Sequence, residues 1–224
     1  MKKSILSVFI VIISLIFVLL LSTLTITNSK FIYSLSIEKL DLEARGGISK
    51  EEIKSNYSYI VDYILSKDKS EEFHLPTLEY SEDGAEHFLE VRRLFDLAKT
   101  VLLGLFVGII LLMSIYYFNF KNWRPIKYLG RSLILMPIIT ALIVSVNFNF
   151  FFTVFHKIFF NNDKWLFDPI TDPIIYILPE EFFALCAGLI VLLTMIIGGI
   201  LLLGYKGFLS NKRKDKSERI SVIS

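Results

Sequence analysis

Four long apolar runs divide the chain, and each is long enough to cross a lipid bilayer. They cover residues 5–24, 101–118, 132–152 and 183–203, all bounds being approximate. A membrane-spanning helix needs about 20 largely apolar residues, and its backbone must form its own hydrogen bonds because no water is available. Each run therefore predicts a transmembrane helix. We expect residues 1–224 to form a single, all-α integral membrane domain.

The polar stretch between the first two runs, residues 27–95, also has helical patterns. Ser49 and Glu52 form an S-x-x-E capping box, and the apolar residues that follow keep helical spacing through 50–66. We expect this amphipathic helix to lie in the lipid headgroups as an extracytoplasmic, membrane-lying element. From Ser81, a plausible N-cap, a further helical pattern continues without a breaker into the second apolar run.

The distribution of charge predicts the orientation. The N-terminus, the connector between the second and third runs, and the tail 206–224 are basic. The connectors 27–95 and 156–181 hold 9 basic against 14 acidic residues and 2 against 5, respectively. Because basic residues concentrate on the cytoplasmic side, we expect a multi-pass protein of the cell membrane with both termini cytoplasmic and both acidic loops outside. The net charge of +2 gives no indication of a nucleic-acid partner.

The first apolar run also resembles a signal peptide, but two features favour an uncleaved anchor. It is longer than the usual apolar core of a signal peptide, and no Ala-x-Ala cleavage site follows it. The overall composition agrees with an integral membrane protein, with 54% hydrophobic residues and a mean hydropathy of +0.58.

The segment between the third and fourth runs is unusually polar for the edge of a bilayer. Residues 155–183, FHKIFFNNDKWLFDPITDPIIYILPEEFF, contain a histidine, two Asp-Pro steps and five carboxylates. Ionisable groups near the hydrocarbon are costly and usually functional. We interpret this segment as half of an active site at the outer membrane surface. Asp168 and Asp172 have an alternative role, since an aspartate before proline readily forms a turn.

Two of the three histidines are candidates for acid–base chemistry. His87 lies near the start of the helix that enters the second run, and His156 lies in the 155–183 segment, so both are expected at the outer mouth of the bundle. Imidazole takes up and releases protons near neutrality. The alternative is that both are ordinary interfacial histidines. His74, in a loop before a proline, is expected to be a surface residue.

Four further residues are candidates for binding the substrate or orienting a histidine. Asp168 or Asp172 could hold an imidazole ring through a hydrogen bond. Trp165 could contact the substrate or belong to the belt of aromatic residues at the interface. Arg92 could bind a lipid phosphate or pair with a neighbouring glutamate.

Several catalytic motifs are missing from the sequence. It contains no G-x-S-x-G or H-E-x-x-H motif and no glycine-rich phosphate loop. Cys186, the single cysteine, lies inside the last apolar run, where a buried thiol is a poor nucleophile. An enzyme built on this chain is therefore expected to use histidine acid–base catalysis on groups that the substrate supplies, without a metal or cofactor.

Two patterns resemble the bacterial lipoprotein intramolecular transacylases, which are four-helix membrane proteins of Gram-positive bacteria. The more specific pattern, in 155–183, is F-H-x-x-F-F-x-x-D-x-W-x-F-D-P-x-T-D-P-I-I-x-x-L-P-E-x-F-F. The weaker one, in 81–95, is S-x-x-x-x-E-H-x-x-E-V-R-x-L-F, where Phe88 and Glu90 replace the Met and Asp that are usual in the family. The substitution leaves the role of Glu90 open.

This resemblance implies an activity and a catalytic pair. The enzyme would move the sn-2 acyl chain of a diacylated lipoprotein onto the α-amine of its N-terminal cysteine, giving an N-acyl-S-monoacylglyceryl lipoprotein. His156 and His87 would be catalytic, with the diacylated lipoprotein and membrane lipid as the partners and the site on the extracytoplasmic face.

Two other functions remain open on the sequence alone. A metal-dependent membrane hydrolase could bind zinc through His87, His156, Glu90 and an aspartate; chelator-sensitive activity restored by zinc would support it. A non-enzymatic envelope sensor or assembly factor would keep its phenotype after substitution of both histidines, but lose it after changes in the 50–66 helix.

Replacing Cys186 by serine tests whether the thiol takes part in the chemistry. Because the expected mechanism has no acyl-enzyme, Cys186→Ser should transfer the acyl chain as well as the wild type does in a lipopeptide assay. A folded but inactive variant would instead indicate an acyl-thioester route.

Overall fold

The structure, a computed structural model, describes the backbone of residues 2–223 and the side chains of residues 3–210. This part of the chain is all-helical, as expected. Its helices are α1 (Lys2–Thr27), α2 (Lys30–Lys39), α3 (Leu42–Gly46), α4 (Lys50–Leu65), α5 (Glu82–Phe120), α6 (Arg124–Val146), α7 (Phe148–Phe159), α8 (Ile174–Ile177) and α9 (Glu180–Ile223). Most of the basic tail predicted at 206–224 lies beyond the described side chains.

Four stretches of the described residues are long and apolar enough to span a membrane. They are Lys3–Thr27, Glu82–Phe120, Arg124–Val146 and Ile174–Ser210. Each contains the core of one of the predicted apolar runs, so the prediction of a four-span membrane protein is confirmed.

The chain divides into two compact units. Unit 1 comprises Met1–Ser22, Leu102–Leu142 and Ile190–Ser224, and unit 2 comprises Thr23–Val101 and Ile143–Leu189. Unit 1 holds most of the apolar runs, whereas unit 2 holds both acidic connectors. The expectation of a single membrane domain stays a prediction.

Close helix packing in unit 1 depends on two glycines. A Cβ atom on Gly198 of α9 would lie 2.8 Å from the carbonyl oxygen of Gly130 on α6 and 2.9 Å from Cβ of Leu133. Within lipid there is little hydrophobic drive between helices, so small residues that let backbones approach are a main source of association. Side chains on the outer faces of these helices, such as Leu203, are exposed, as expected of lipid-facing positions.

Helix α4 of unit 2 begins at the predicted capping box. The Ser49 hydroxyl accepts a hydrogen bond from the backbone N–H of Glu52, and the Glu52 carboxylate accepts one from the N–H of Ser49. The apolar face of the helix, including Ile53 and Ile60, is buried within the protein and is therefore not available to lipid headgroups. Apolar spacing predicts that a face is covered, but it does not distinguish a protein partner from a membrane.

The third apolar run contains a helix break that the sequence pattern conceals. Helix α6 ends at Val146, and the side chain of Asn147 accepts a hydrogen bond from the N–H of Phe150 at 3.0 Å, which starts α7. A side chain that satisfies a free N–H in this way favours a new helix start over continuation. His156 therefore lies on its own short helix. Pro137 lies inside α6 without ending it.

Helix α5 is continuous from Glu82 to Phe120, as predicted. The Ser81 hydroxyl accepts a hydrogen bond from the N–H of Gly84 at 2.9 Å, which confirms Ser81 as the N-cap. The carboxylate of Asp172 accepts a bond of 2.9 Å from the N–H of Ser81. This contact fixes the 155–183 segment against the start of the helix that carries His87.

The glycine contact in unit 1 predicts different effects of alanine at two adjacent positions. In Gly198→Ala the new methyl group meets backbone and Cβ atoms that cannot easily move, which should cost about 1–3 kcal/mol of stability. Gly199→Ala is the matched control, because no described atom beyond its chain neighbours and its own helix backbone lies within 4 Å of its added Cβ. Thermal unfolding in detergent should show a lower midpoint for Gly198→Ala alone. Equal midpoints would contradict the close approach of α6 and α9.

Candidate active site

Helices α5 and α7 bring His87 and His156 together in unit 2. The centroids of the two imidazole rings are 5.9 Å apart, and the rings are tilted by 37°. Both side chains are buried, with 6% and 9% of their surface exposed. Two imidazoles at this distance can contact a single reacting group placed between or beside them.

Aromatic side chains surround the pair. The ring of Phe160 packs edge-on to His87 with 4.8 Å between centroids, and Phe167 lies at 5.5 Å. Trp165 stacks on His156 at 4.6 Å with an interplanar angle of 25°. Such walls exclude water and lower the local dielectric, which strengthens electrostatic interactions with a reacting group.

A backbone hydrogen bond sets the tautomer of His156. Its Nδ1 atom lies 2.7 Å from the carbonyl oxygen of Phe152, one turn earlier in α7. A carbonyl oxygen can only accept, so Nδ1 carries the hydrogen and donates it. The Nε2 atom is therefore left with the free lone pair, which is the arrangement required of a general base.

Both histidines are neutral near pH 7, and His87 is the more strongly shifted. Burial, aided by the nearby His156, lowers the pKa of His87 to about 4. Burial also lowers the pKa of His156, but the hydrogen bond to Phe152 acts in the opposite direction. The buried Nδ1 atom of His87 has no hydrogen-bond partner among the described residues. A buried polar atom without a partner is unusual, so this nitrogen calls for a functional explanation.

The two aspartates make hydrogen bonds away from the imidazoles. Asp168 accepts a bond of 2.9 Å from the N–H of Ile170, within a turn. Asp172 accepts bonds from the N–H of Ser81 and from the hydroxyl of Thr171 at 2.8 Å. No hydrogen bond joins either carboxylate to a histidine ring in the described part of the chain. The expected role of an aspartate in orienting the ring of His156 is taken by the carbonyl oxygen of Phe152.

Arg92 is buried in a structural role. Its guanidinium contacts the carbonyl oxygens of Asp68 and, at 3.3 Å, Glu71, and it lies 4.6 Å from the centre of the Tyr63 ring. Its Nε–H has no partner among the described residues, but with 2% of its surface exposed the side chain is not accessible to a lipid phosphate. It attaches the loop after α4 to α5 instead.

Trp165 lies in the site and not on the outer surface. It is 9% exposed, and its indole N–H donates to the carbonyl oxygen of Asn162 at 3.1 Å while its ring stacks on His156. The aromatic belt that we considered as an alternative would leave the ring exposed to the interface. The structure therefore favours a role in holding His156.

Next to the pair is an open cavity of about 280 Å³, which sequence reasoning missed. Its walls are formed by Glu90, Arg93, Leu94, Leu97, Phe159, Phe160 and Asn161. The side-chain amide of Asn162 donates to one Glu90 oxygen at 2.8 Å, and the other oxygen, Oε2, is buried with no partner in the described part of the chain. The sequence marked Glu90 as a departure from the family pattern and as a candidate zinc ligand, but it gave no sign of a cavity beside it.

The structure does not support the zinc-hydrolase alternative. Within the described residues, no three His, Cys, Asp or Glu side chains lie close enough together to hold a metal ion. Glu90 instead forms its hydrogen bond with Asn162.

Comparison with known families decides the identity of the chain. A family model described as lipoprotein intramolecular transacylase Lit matches residues 8–183. The chain belongs to this family. It is therefore a membrane-integral enzyme, a transacylase, and the resemblance drawn from the two sequence patterns is confirmed. A separate comparison with curated proteins finds no match.

Solved structures of a relative agree over nearly the whole chain. The membrane-integral lipoprotein intramolecular transacylase Lit from Bacillus cereus is 29% identical, with a TM-score of 0.86, covering 95% of this chain and 98% of that chain. A second structure of the same protein, with a histidine replaced by arginine, gives 28% identity, a TM-score of 0.83, and coverage of 96% and 95%. A third carries an alanine in place of that histidine.

The lowered pKa of His87 predicts a loss of stability in acid. The unfolded chain binds a proton near pH 6.5, whereas the folded chain binds it only near pH 4. The folded state is therefore destabilised as the pH falls from 6.5 towards 4, and its free energy of unfolding drops by at most about 3 kcal/mol. Above pH 6.5 this effect is absent. Thermal unfolding in detergent should therefore depend less on pH in this window for His87→Gln than for the wild type. His74→Gln, at an exposed position outside the pair, serves as the control. A His87→Gln curve parallel to that of the wild type would contradict the prediction.

Proposed function

We propose that this transacylase moves the sn-2 acyl chain of a diacylglyceryl lipoprotein to the α-amine of its N-terminal cysteine by histidine acid–base catalysis. The product is an N-acyl-S-monoacylglyceryl lipoprotein. The observation that carries this proposal is the pair of buried, neutral imidazoles with ring centroids 5.9 Å apart. Membership of the family supports a lipoprotein as the substrate.

The proton transfers follow from the chemistry of the two reacting groups. An α-amine with a pKa of about 7.7–8 is largely protonated at neutrality, so it must first lose one proton. Its nitrogen then attacks the carbonyl carbon of the sn-2 ester. A second proton passes from this nitrogen to Nε2 of His156 and on to the glyceryl oxygen as the carbon–oxygen bond breaks. An amide and a free hydroxyl result, and the imidazole returns to its starting state.

The difference between the two imidazoles supports separate roles. A general base works best with a pKa near the ambient pH, so His87, with a pKa of about 4, is a weak base. As a neutral imidazole it can donate an N–H hydrogen bond to the oxyanion of the tetrahedral intermediate. His156, whose Nδ1–H is committed to Phe152, keeps Nε2 free to act as base and then acid.

Placement of the substrate supplies much of the acceleration. Amine and ester belong to one molecule, and well-oriented pairs reach effective molarities of about 10⁵–10⁸ M. Acid–base help adds about 10²–10⁴-fold. In this proposal the reaction needs no metal or cofactor, because the substrate brings both nucleophile and acyl donor. The charge distribution favours a site on the extracytoplasmic face, with both termini cytoplasmic and membrane lipid around the spans.

Mass spectrometry of a model lipoprotein tests the proposal. The lipoprotein is coexpressed with the wild-type chain or a variant in a host without its own N-acylation. With the wild type, the N-terminal lipopeptide should keep its mass while fragmentation places one acyl chain on the amine and one on the glyceryl group. His156→Ala should lower conversion by about 10²-fold or more while the protein still accumulates in the membrane.

His74→Ala is the matched control and should convert fully, since this histidine is exposed and outside the pair. A mass increase in the lipopeptide would reveal a separate acyl donor and overturn intramolecular transfer. Normal conversion by His156→Ala would overturn the histidine mechanism.

A further inference from the structure

Glu90 presents an unpaired carboxylate oxygen beside the histidine pair. Its Oε1 atom accepts a hydrogen bond of 2.8 Å from the side-chain amide of Asn162, whereas Oε2 is buried and has no partner among the described residues. Leaving a buried carboxylate oxygen without a hydrogen bond costs about as much free energy as losing a hydrogen bond to a charged group. A ligand that supplies a donor at this point would recover that free energy.

The cationic side chains near Glu90 do not pair with Oε2. Arg93 lines the same cavity, but it is exposed and forms no ion pair with Glu90 in the described residues. Lys164 makes its ion pairs with Glu86 and, at 3.6 Å, with Asp83. The carboxylate is therefore held by an amide on one oxygen, while the other oxygen is covered by the protein and has no donor among the described residues.

The cavity around Glu90 fits a small cationic head with an apolar body. At about 280 Å³ it is at the lower end of the size of ligand sites, too small for two acyl chains. Its apolar walls include Leu97 and Phe159, which are exposed at 59% and 52%. Chains attached to a head in the cavity can leave along these side chains towards lipid.

One aromatic ring links the cavity to the imidazoles. Phe160 lines the cavity and packs on His87 at 4.8 Å and on His156 at 5.7 Å. His87 and Glu90 lie three residues apart on α5, a spacing that puts both side chains on the same face of the helix. A group bound to Glu90 is thus held about one helical turn from the proposed site of chemistry.

We propose that Glu90 binds the free α-ammonium group of the substrate's N-terminal cysteine and so selects lipoproteins that have not been N-acylated. This inference rests on the proposed function, because it names how the same site recognises its substrate. The reaction turns the ammonium into a neutral amide and releases a proton. The product therefore loses its contact with Glu90, which favours its release.

A binding measurement with unreactive ligands separates recognition from catalysis. The ligands are two diacyl lipopeptides with an ether in place of the sn-2 ester, one with a free α-amine and one with an N-acetyl group. The full chain in nanodiscs at neutral pH should bind the free amine about 10-fold or more tightly than the acetylated form, as expected for one charge-assisted hydrogen bond.

Variants on α5 test whether Glu90 is the source of the preference. Glu90→Gln keeps a carbonyl oxygen for Asn162 but removes the charge, and should bind both ligands alike. Glu90→Asp should keep part of the preference. Glu86→Gln is the matched control, because it removes a carboxylate one turn away whose ion pair with Lys164 is exposed, and it should keep the full preference.

Two results would overturn the proposal: no preference in the wild type, or an undiminished preference in Glu90→Gln. The proposed function is tested separately, by transfer in the mass-spectrometric assay. His156→Ala should lose this transfer but keep its preference for binding the free amine. The Glu90→Asp variant and the unfolding midpoint of Glu90→Gln show whether a lost preference reflects the charge or a loss of folding.

Discussion

The site depends on the contact between Asp172 and the start of α5. The carboxylate, 3% exposed, accepts the N–H of Ser81, and it lies so close to Gly84 that any side chain there would collide with it. A negative charge at this position also interacts favourably with the positive end of the helix dipole. This contact, together with those of Asn162 with Glu90 and of Lys164 with Glu86, holds a segment distant in sequence beside His87.

This arrangement bears on why the pKa of His87 is lowered more strongly than that of His156. Helix α5 is held at its start by Asp172 and further along by Arg92, and His87 lies in a buried position where the charged imidazole is unfavourable. His156 lies on the short helix that Asn147 starts, with a carbonyl hydrogen bond that supports its protonated form. Local surroundings, and not the residue type, thus give the two imidazoles different pKa values.

Part of this arrangement could be predicted from the sequence, because it depends on local rules. Capping by Ser49 and Ser81 and the spacing of apolar residues act within a few residues, and both are visible as patterns. The break at Asn147 and the burial of Arg92 depend on partners that are distant in sequence or compete with a strong apolar pattern. The same limit hid the roles of Asp172 and Glu90, since a carboxylate next to a turn or on a helix looks solvated until its neighbours are known.

Selectivity and catalysis place opposite demands on the substrate amine. A carboxylate beside the amine favours its charged form, in which the nitrogen cannot attack, whereas the neutral imidazoles need the proton to leave. In the proposed mechanism, a cavity separated from the imidazoles by the ring of Phe160 would let Glu90 recognise the charged amine at one point before it reacts at another. Two neighbouring environments, one with a carboxylate and one aromatic and neutral, would then meet both demands where a single polar pocket would not.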